Sequence, residues 1–457
     1  MFLRITTVLL LMINHSLAEA SPTGLDKEGA TFYLGVEFAE AKRWERAELL
    51  SFDEHGSYRT FGARCPQKLG NDGVIQGEER CLFLNIAVPE NVSADAPVLM
   101  WFHGGGFTGG SGNDWIDRSK RFTDAGIIFI SPNYRLGLLG NIDSQEFSGG
   151  FSLTDMQTAL RWTQQNIEVF GGDANKVTIG GESAGGMAVQ MLLASPASQG
   201  LFARAISQSG YGTWPMAKLG ESASAEVIDL LGSEPHADMS TEQLVNAVTG
   251  FLVPYYGDEY LPMTPATAFN EGKQQQVPLI IGANSYDGSV FPAAGLTPES
   301  VFALLGEAAM PAYQRYLADF GSQELAFTMM FGELRYALSG WEMAEAHANA
   351  NLPTYHYYFD YLPSLLRSNL PGAPHGIELP LLMGYDGGWP QPAGGDPVGN
   401  ELGDSWIEFI ITGELPSVGS PVELPERAIK LHHIGALNDV AKHTERMSML
   451  RNALIGG

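Results

Sequence analysis

The chain has 457 residues, 44% of them hydrophobic, enough for a large buried core. Its 26 Lys and Arg against 52 Asp and Glu give a formal net charge of −26. Such a surface repels nucleic acid and anionic membranes, so neither is expected as a partner.

In chain order, Arg4 precedes a mostly apolar run from Ile5 to Ile13 that is too short to span a bilayer, and Ser16-Leu17-Ala18 supplies small residues where a signal peptidase cuts. Residues 1–18 therefore read as a cleaved signal peptide, with a secreted or periplasmic location. Residues 19–457 read as one domain, without a later membrane span. Cys65 and Cys81 are the only cysteines. Export makes a disulfide between them one option, two buried thiols the other.

Apolar strand-like runs alternate with helical patterns from here on, which predicts an α/β fold with a mostly parallel sheet and helices on both faces. Residues 97–102 and 126–131 read as buried strands, 155–170 as a helix with Leu160, Thr163 and Ile167 on one face, 177–179 as a short strand and 187–193 as a helix. Residues 277–281 and 354–361 read as late strands. The stretches 214–256 and 297–351 are helical and mixed, and are expected to cap the sheet.

Gly181-Glu182-Ser183-Ala184-Gly185 has the G-x-S-x-G form and sits between a strand and a helix, the context in which a sharp turn exposes a nucleophilic serine. The helix that follows aims its positive end at that turn. His103-Gly104-Gly105-Gly106 follows a strand and has the pattern that offers backbone N–H groups to a developing oxyanion. The same glycines also fit G-x-G-x-x-G over 104–109, but no apolar helix opens after Gly109, which argues against a dinucleotide site.

A serine nucleophile needs a base and the base an orienting acid, in the chain order Ser, acid, His. Asp287 follows the 277–281 strand and is the natural acid; His375 lies in a loop after the 354–361 strand and is the natural base. Among the other histidines, His347 falls in a helix, His356 in a strand, His432 and His433 are adjacent and point apart, and His443 lies in a polar helical tail. With neither a Cys/His cluster nor H-E-x-x-H, no metal and no cofactor are expected.

Together these segments resemble the type-B carboxylesterase/cholinesterase family of α/β-hydrolases from about residue 32 to about residue 413. Phe170-Gly171-Gly172-Asp173 through Gly186 is similar to the family's F-G-G-D…V-T-I-x-G-E-S-A-G-G signature; Glu79 to Asn85, Asn133 to Gly137 and Ala205 to Gly210 also match. The resemblance implies a triad of Ser183, Asp287 and His375, an oxyanion hole from the N–H groups of Gly105, Gly106 and Ala184, a Cys65–Cys81 disulfide and a buried Arg43–Glu79 ion pair. It implies hydrolysis of a small-molecule carboxylic ester through an acyl-enzyme. The triad equally serves a lactone, an amide or acyl transfer, and loss of catalysis would leave a binding protein on the same fold. Glu182, beside the serine, is expected to favour the imidazolium. Activity should rise with pH near the ordinary histidine value of about 6.5, moved by the surroundings. The chain departs from the family in its shorter length, in Asp where Glu is usual, and in a 65–81 loop without an aromatic residue, which disfavours choline esters.

Overall fold

The computed structural model describes residues 21–69, 73–221, 223–389, 395–415, 420–422, 431–434 and 440–456. The predicted signal peptide lies outside them.

One sheet organises the molecule. Its strands are β1 (Leu25–Lys27), β2 (Ala30–Glu37), β3 (Phe83–Pro89), β4 (Ala96–Phe102), β5 (Ile128–Pro132), β6 (Gly172–Glu182), β7 (Arg204–Gln208), β8 (Leu279–Asn284), β9 (Thr354–Phe359), β10 (Ser420–Val422) and β11 (Leu431–Ile434). They run in the order β1-β2-β3-β5-β4-β6-β7-β8-β9-β11-β10. From β5 through β11 all neighbours are parallel; the pairs β1–β2, β2–β3, β3–β5 and β10–β11 are antiparallel. A mostly parallel α/β sheet is what the alternating pattern predicts.

The central strands carry apolar residues at successive positions because both faces are covered. In β4, Val98, Met100 and Phe102 enter one core with the helices α1 (Phe151–Asn166) and α2 (Ala184–Ala194), while Leu99 and Trp101 enter a second core with Trp406 and Phe409. Period-two alternation thus feeds two cores from one strand.

Predicted elements recur with shifted ends. β6 spans eleven residues where only 177–179 reads as strand, and α1 starts at Phe151 and ends in a 3-10 turn, Ile167–Phe170. The residues after Gly109 form two one-turn 3-10 helices, Gly112–Asp114 and Ile116–Arg118, before the five-residue helix Lys120–Asp124. Within 214–256 lie helices Ala223–Leu231 and Thr241–Ala247; within 297–351 lie Pro298–Leu305, Ala309–Phe320, Gln323–Gly332 and Leu338–Asn349. A π-helical turn, Glu333–Ala337, joins the last two. No helix among the described residues is long and apolar enough to cross a membrane.

Cys65 and Cys81 form a disulfide. Arg43 and Glu79 form a two-pronged ion pair, which is half-buried rather than fully buried. It reaches across to the chain at 237–241 through Ala237 O, Met239 O and the Thr241 hydroxyl. The better-buried pair is Arg135–Asp155, with Nε to Oδ2 at 2.8 Å and Nη2 to Oδ1 at 2.7 Å.

Candidate active site

The C-terminal ends of β4, β6, β7 and β8 meet at the site. β6 ends at Glu182, α2 begins at Ala184, and Ser183 between them has φ 60° and ψ −121°. That left-handed backbone is costly for a residue with a Cβ and is held here by its surroundings. The Ser183 N–H donates to Gln208 O at 2.9 Å, and its carbonyl accepts from Met187 N at 2.8 Å. Glycine on both sides is a steric demand: a Cβ at Gly185 would collide with Phe102 O, and one at Gly181 with the Gly185 backbone.

The glycine run after β4 packs on this elbow. Gly105 and Gly106 have φ of 108° and 63°, and a Cβ on Gly104 would lie 3.2 Å from the Ser183 Cβ. Among the described residues no acceptor is bonded by the N–H groups of Gly105, Gly106 or Ala184, the last being an orphan donor at a helix N-terminus. Gln67 props the run from outside: its Nε2 donates to Cys65 O at 3.0 Å and Gly110 O at 2.8 Å, and its Oε1 accepts from Gly110 N at 2.8 Å. His103 stacks on Tyr134 with centroids 4.2 Å apart, and burial pushes its imidazole down to about 4, so it is a neutral structural ring.

Asp287 and His375 sit on loops that are stitched together. Tyr286 N donates to Ala373 O at 2.8 Å, Ala373 N to the Ser285 hydroxyl at 2.8 Å, and Asn284 Nδ2 to Pro374 O at 2.9 Å. His375 Nδ1–H donates to Asp287 Oδ1 at 2.6 Å. The same carboxylate accepts from Asn284 N at 2.8 Å and from the Ser209 hydroxyl at 2.9 and 3.1 Å. On its other edge, His375 Nε2 lies 3.0 Å from Glu182 Oε1. That approach is not aligned as a hydrogen bond, and Nε2 has no hydrogen-bond partner among the described residues. No hydrogen bond joins His375 to Ser183. The structure therefore brings His375 between Asp287 and Glu182, against the residue that precedes Ser183.

A third carboxylate, Glu378, was not singled out from sequence. It accepts from Gln208 Nε2 at 3.0 Å and from Asn284 Nδ2. Its signal was the His375-Gly376-Ile377-Glu378 spacing, which only the fold turns inward. Burial opposes the charged imidazole of His375, but the Glu182 and Asp287 carboxylates outweigh it and raise it to about 9. Glu182 is raised to about 6, chiefly by burial, with His375 pulling it down and Asp287 up. Burial, then the nearby Glu182 charge, pushes Glu378 up to about 8. Two positioning residues also escaped the sequence reading: Ser209, itself at φ 48°, and Ser289, whose hydroxyl accepts from His375 N at 3.1 Å.

The other histidines lie elsewhere. His347 is buried, with Nε2 2.9 Å from Val277 O. His443, expected in a polar tail, is buried with Nδ1 3.3 Å from Glu333 Oε1. The tail docks because Arg446 also reaches Glu333 and Asp319.

A model of the carboxylesterase family matches residues 20–427. The para-nitrobenzyl esterase of Bacillus subtilis (strain 168) is 31% identical over 399 residues, covering 77% of this chain and 79% of that protein. The fumonisin B1 esterase of Sphingopyxis macrogoltabida is 29% identical over 420 residues, covering 79% and 74%. Among solved structures, a PNB esterase superposes with a TM-score of 0.76 at 26% identity, covering 94% of this chain and 97% of that one.

Proposed function

The chain belongs to the carboxylesterase family and is a carboxylic ester hydrolase, and from this we propose that it works outside the cytoplasm through an acyl-enzyme on Ser183, with His375 as base and Asp287 as its orienting acid. One observation carries the reading: the His375 imidazole, fixed at Nδ1 by Asp287 at 2.6 Å, has Nε2 3.0 Å from Glu182, the residue before a serine held on a strained turn between a strand and a helix.

The steps follow from these positions. Nε2 takes the Ser183 Oγ proton as Oγ attacks the ester carbonyl. Asp287 holds the tautomer and offsets the charge on the ring. The N–H groups of Gly105, Gly106 and Ala184 donate to the developing oxyanion, each worth about 3 kcal/mol to the barrier. The imidazolium then protonates the departing alcohol, and water repeats the sequence to release the acid. In the resting arrangement Nε2 faces Glu182 instead of Oγ. A protonated ring is stable there, and the ring must lose that proton before it can act as base. Catalytic hydrogen bonds of this kind often tighten only when substrate is bound. Export is supported by the Cys65–Cys81 disulfide and the leader-like residues 1–18.

The test is hydrolysis of p-nitrophenyl esters from acetate to decanoate by wild type and Ser183→Ala, with fluorophosphonate labelling of both. Wild-type turnover and labelling that vanish in the variant are expected. Turnover that persists in Ser183→Ala would sink the assignment. A matched p-nitroanilide series reads ester against amide preference.

A further inference from the structure

Arg335 lies in the π-helical turn Glu333–Ala337 and is 2% exposed, yet among the described residues its Nε and Nη2 have no hydrogen-bond partner. Its guanidinium carbon sits 4.2 Å from the ring centre of Tyr211, 4.7 Å from that of Trp214 and 5.7 Å from that of Tyr336. We propose that Arg335 forms an anion subsite of the active site, and that the preferred ester carries a carboxylate away from its scissile carbonyl. This rests on the serine-esterase reading above and specifies its substrate class.

Burying a guanidinium is costly unless a counter-charge meets it, and cation–π contacts return only part of that cost. The other well-buried arginines are answered in full: Arg135 by Asp155, and Arg446 by Glu333 and Asp319. Glu333, two residues from Arg335, is itself committed to Arg446, His443 and the Tyr316 hydroxyl at 2.6 Å. Glu182 and Asp287 face His375. Among the described residues no carboxylate forms an ion pair with Arg335.

Position gives the second support. The Tyr336 ring packs on the His375 ring with centroids 4.9 Å apart. That separation and the 5.7 Å from Arg335 to Tyr336 put the guanidinium within about 11 Å of the imidazole, a span that the chain of a short dicarboxylate half-ester covers. The Tyr336 hydroxyl is buried without a hydrogen-bond partner among the described residues, and the buried Tyr211 hydroxyl neighbours the Arg335 guanidinium; both offer an O–H to an anion. A carboxylate accepts such a fork of N–H donors well. π-turns inside helices are frequent at functional sites, and this one carries both Arg335 and Tyr336.

Two matched pairs of substrates test the proposal. 4-Nitrophenyl hemiglutarate against 4-nitrophenyl valerate places the charge on the acid; 4-carboxyphenyl butyrate against phenyl butyrate places it on the alcohol. In Arg335→Met, the anionic-to-neutral ratio of kcat/KM is expected to fall at least about tenfold for one pair, the range in which a desolvated charge contact acts. Arg335→Lys should recover part of that ratio. In wild type, free glutarate should compete with the neutral ester where glutaramide at equal concentration does not, a readout that needs no variant to fold. An unchanged ratio in both pairs, or failure of glutarate to compete better than glutaramide, would overturn the subsite. Neither outcome touches the nucleophile, which Ser183→Ala on the neutral ester reads separately.

Discussion

Replacing Glu182 by Gln keeps the size of the side chain and removes the charge 3.0 Å from His375 Nε2. The imidazole rises from an ordinary 6.5 to about 9 although its burial works the other way. That rise corresponds to about 3 kcal/mol, at ~1.4 kcal/mol per pH unit. The Glu182 charge is the largest single contribution that raises it, and Asp287 adds both its charge and a hydrogen bond. Glu182 itself is raised only to about 6, so it is ionised over the whole window in which the imidazole loses its proton. Since the base acts as the neutral ring, wild-type kcat/KM for a neutral ester should climb along an alkaline limb centred near 9. Glu182→Gln should move that limb down to lower pH, because the largest single raising interaction is lost. The assay is kcat/KM for p-nitrophenyl butyrate from about pH 5 to about pH 10, corrected for spontaneous hydrolysis, with the limb of each protein fitted separately. A wild-type limb already complete near 6.5, or a limb that does not move in the variant, would refute the electrostatic account of His375.

Other perturbations reach the scaffold. Asp155→Ala strands the buried Arg135 guanidinium and should cost about 3–5 kcal/mol in urea unfolding, with little change in KM for the enzyme that remains folded. Gln67→Ala leaves the Gly110 N–H and C=O without their side-chain partner. It should cost about 1–3 kcal/mol of stability and lower kcat more than it raises KM, since the glycine run it braces carries the proposed oxyanion donors. The folded value of His375 lies above its unfolded value, so its charge stabilises the fold fully below about 6.5, and that contribution is lost as pH rises through about 9. The difference in Tm between wild type and His375→Gln should shrink across that window; a constant difference would contradict the sign.

Much of the site was legible because its chemistry is local. The turn at Ser183 needs glycine at 181 and 185 for steric reasons visible within five residues, and the glycine run at 104–106 follows directly on a strand of uninterrupted apolar residues. Asp287 and His375 were readable as loop residues after late strands, since chain order constrains where an acid and a base can stand. The docked tail was not legible. Arg446 and His443 look solvated in a polar helix, and their partner Glu333 is more than a hundred residues away.

The sequence by itself determined the α/β architecture, the elbow and the glycine run, because each follows from backbone sterics and apolar periodicity over a few neighbouring residues. Only the tertiary structure decided the electrostatics. Three carboxylates, Glu182, Asp287 and Glu378, converge around one histidine where strand ends meet, and Arg335 is buried among aromatic rings with no carboxylate among the described residues paired to it. The physical reason is that a charge's energy depends on burial and on every neighbour within a few ångströms, and those neighbours come from segments far apart in the chain.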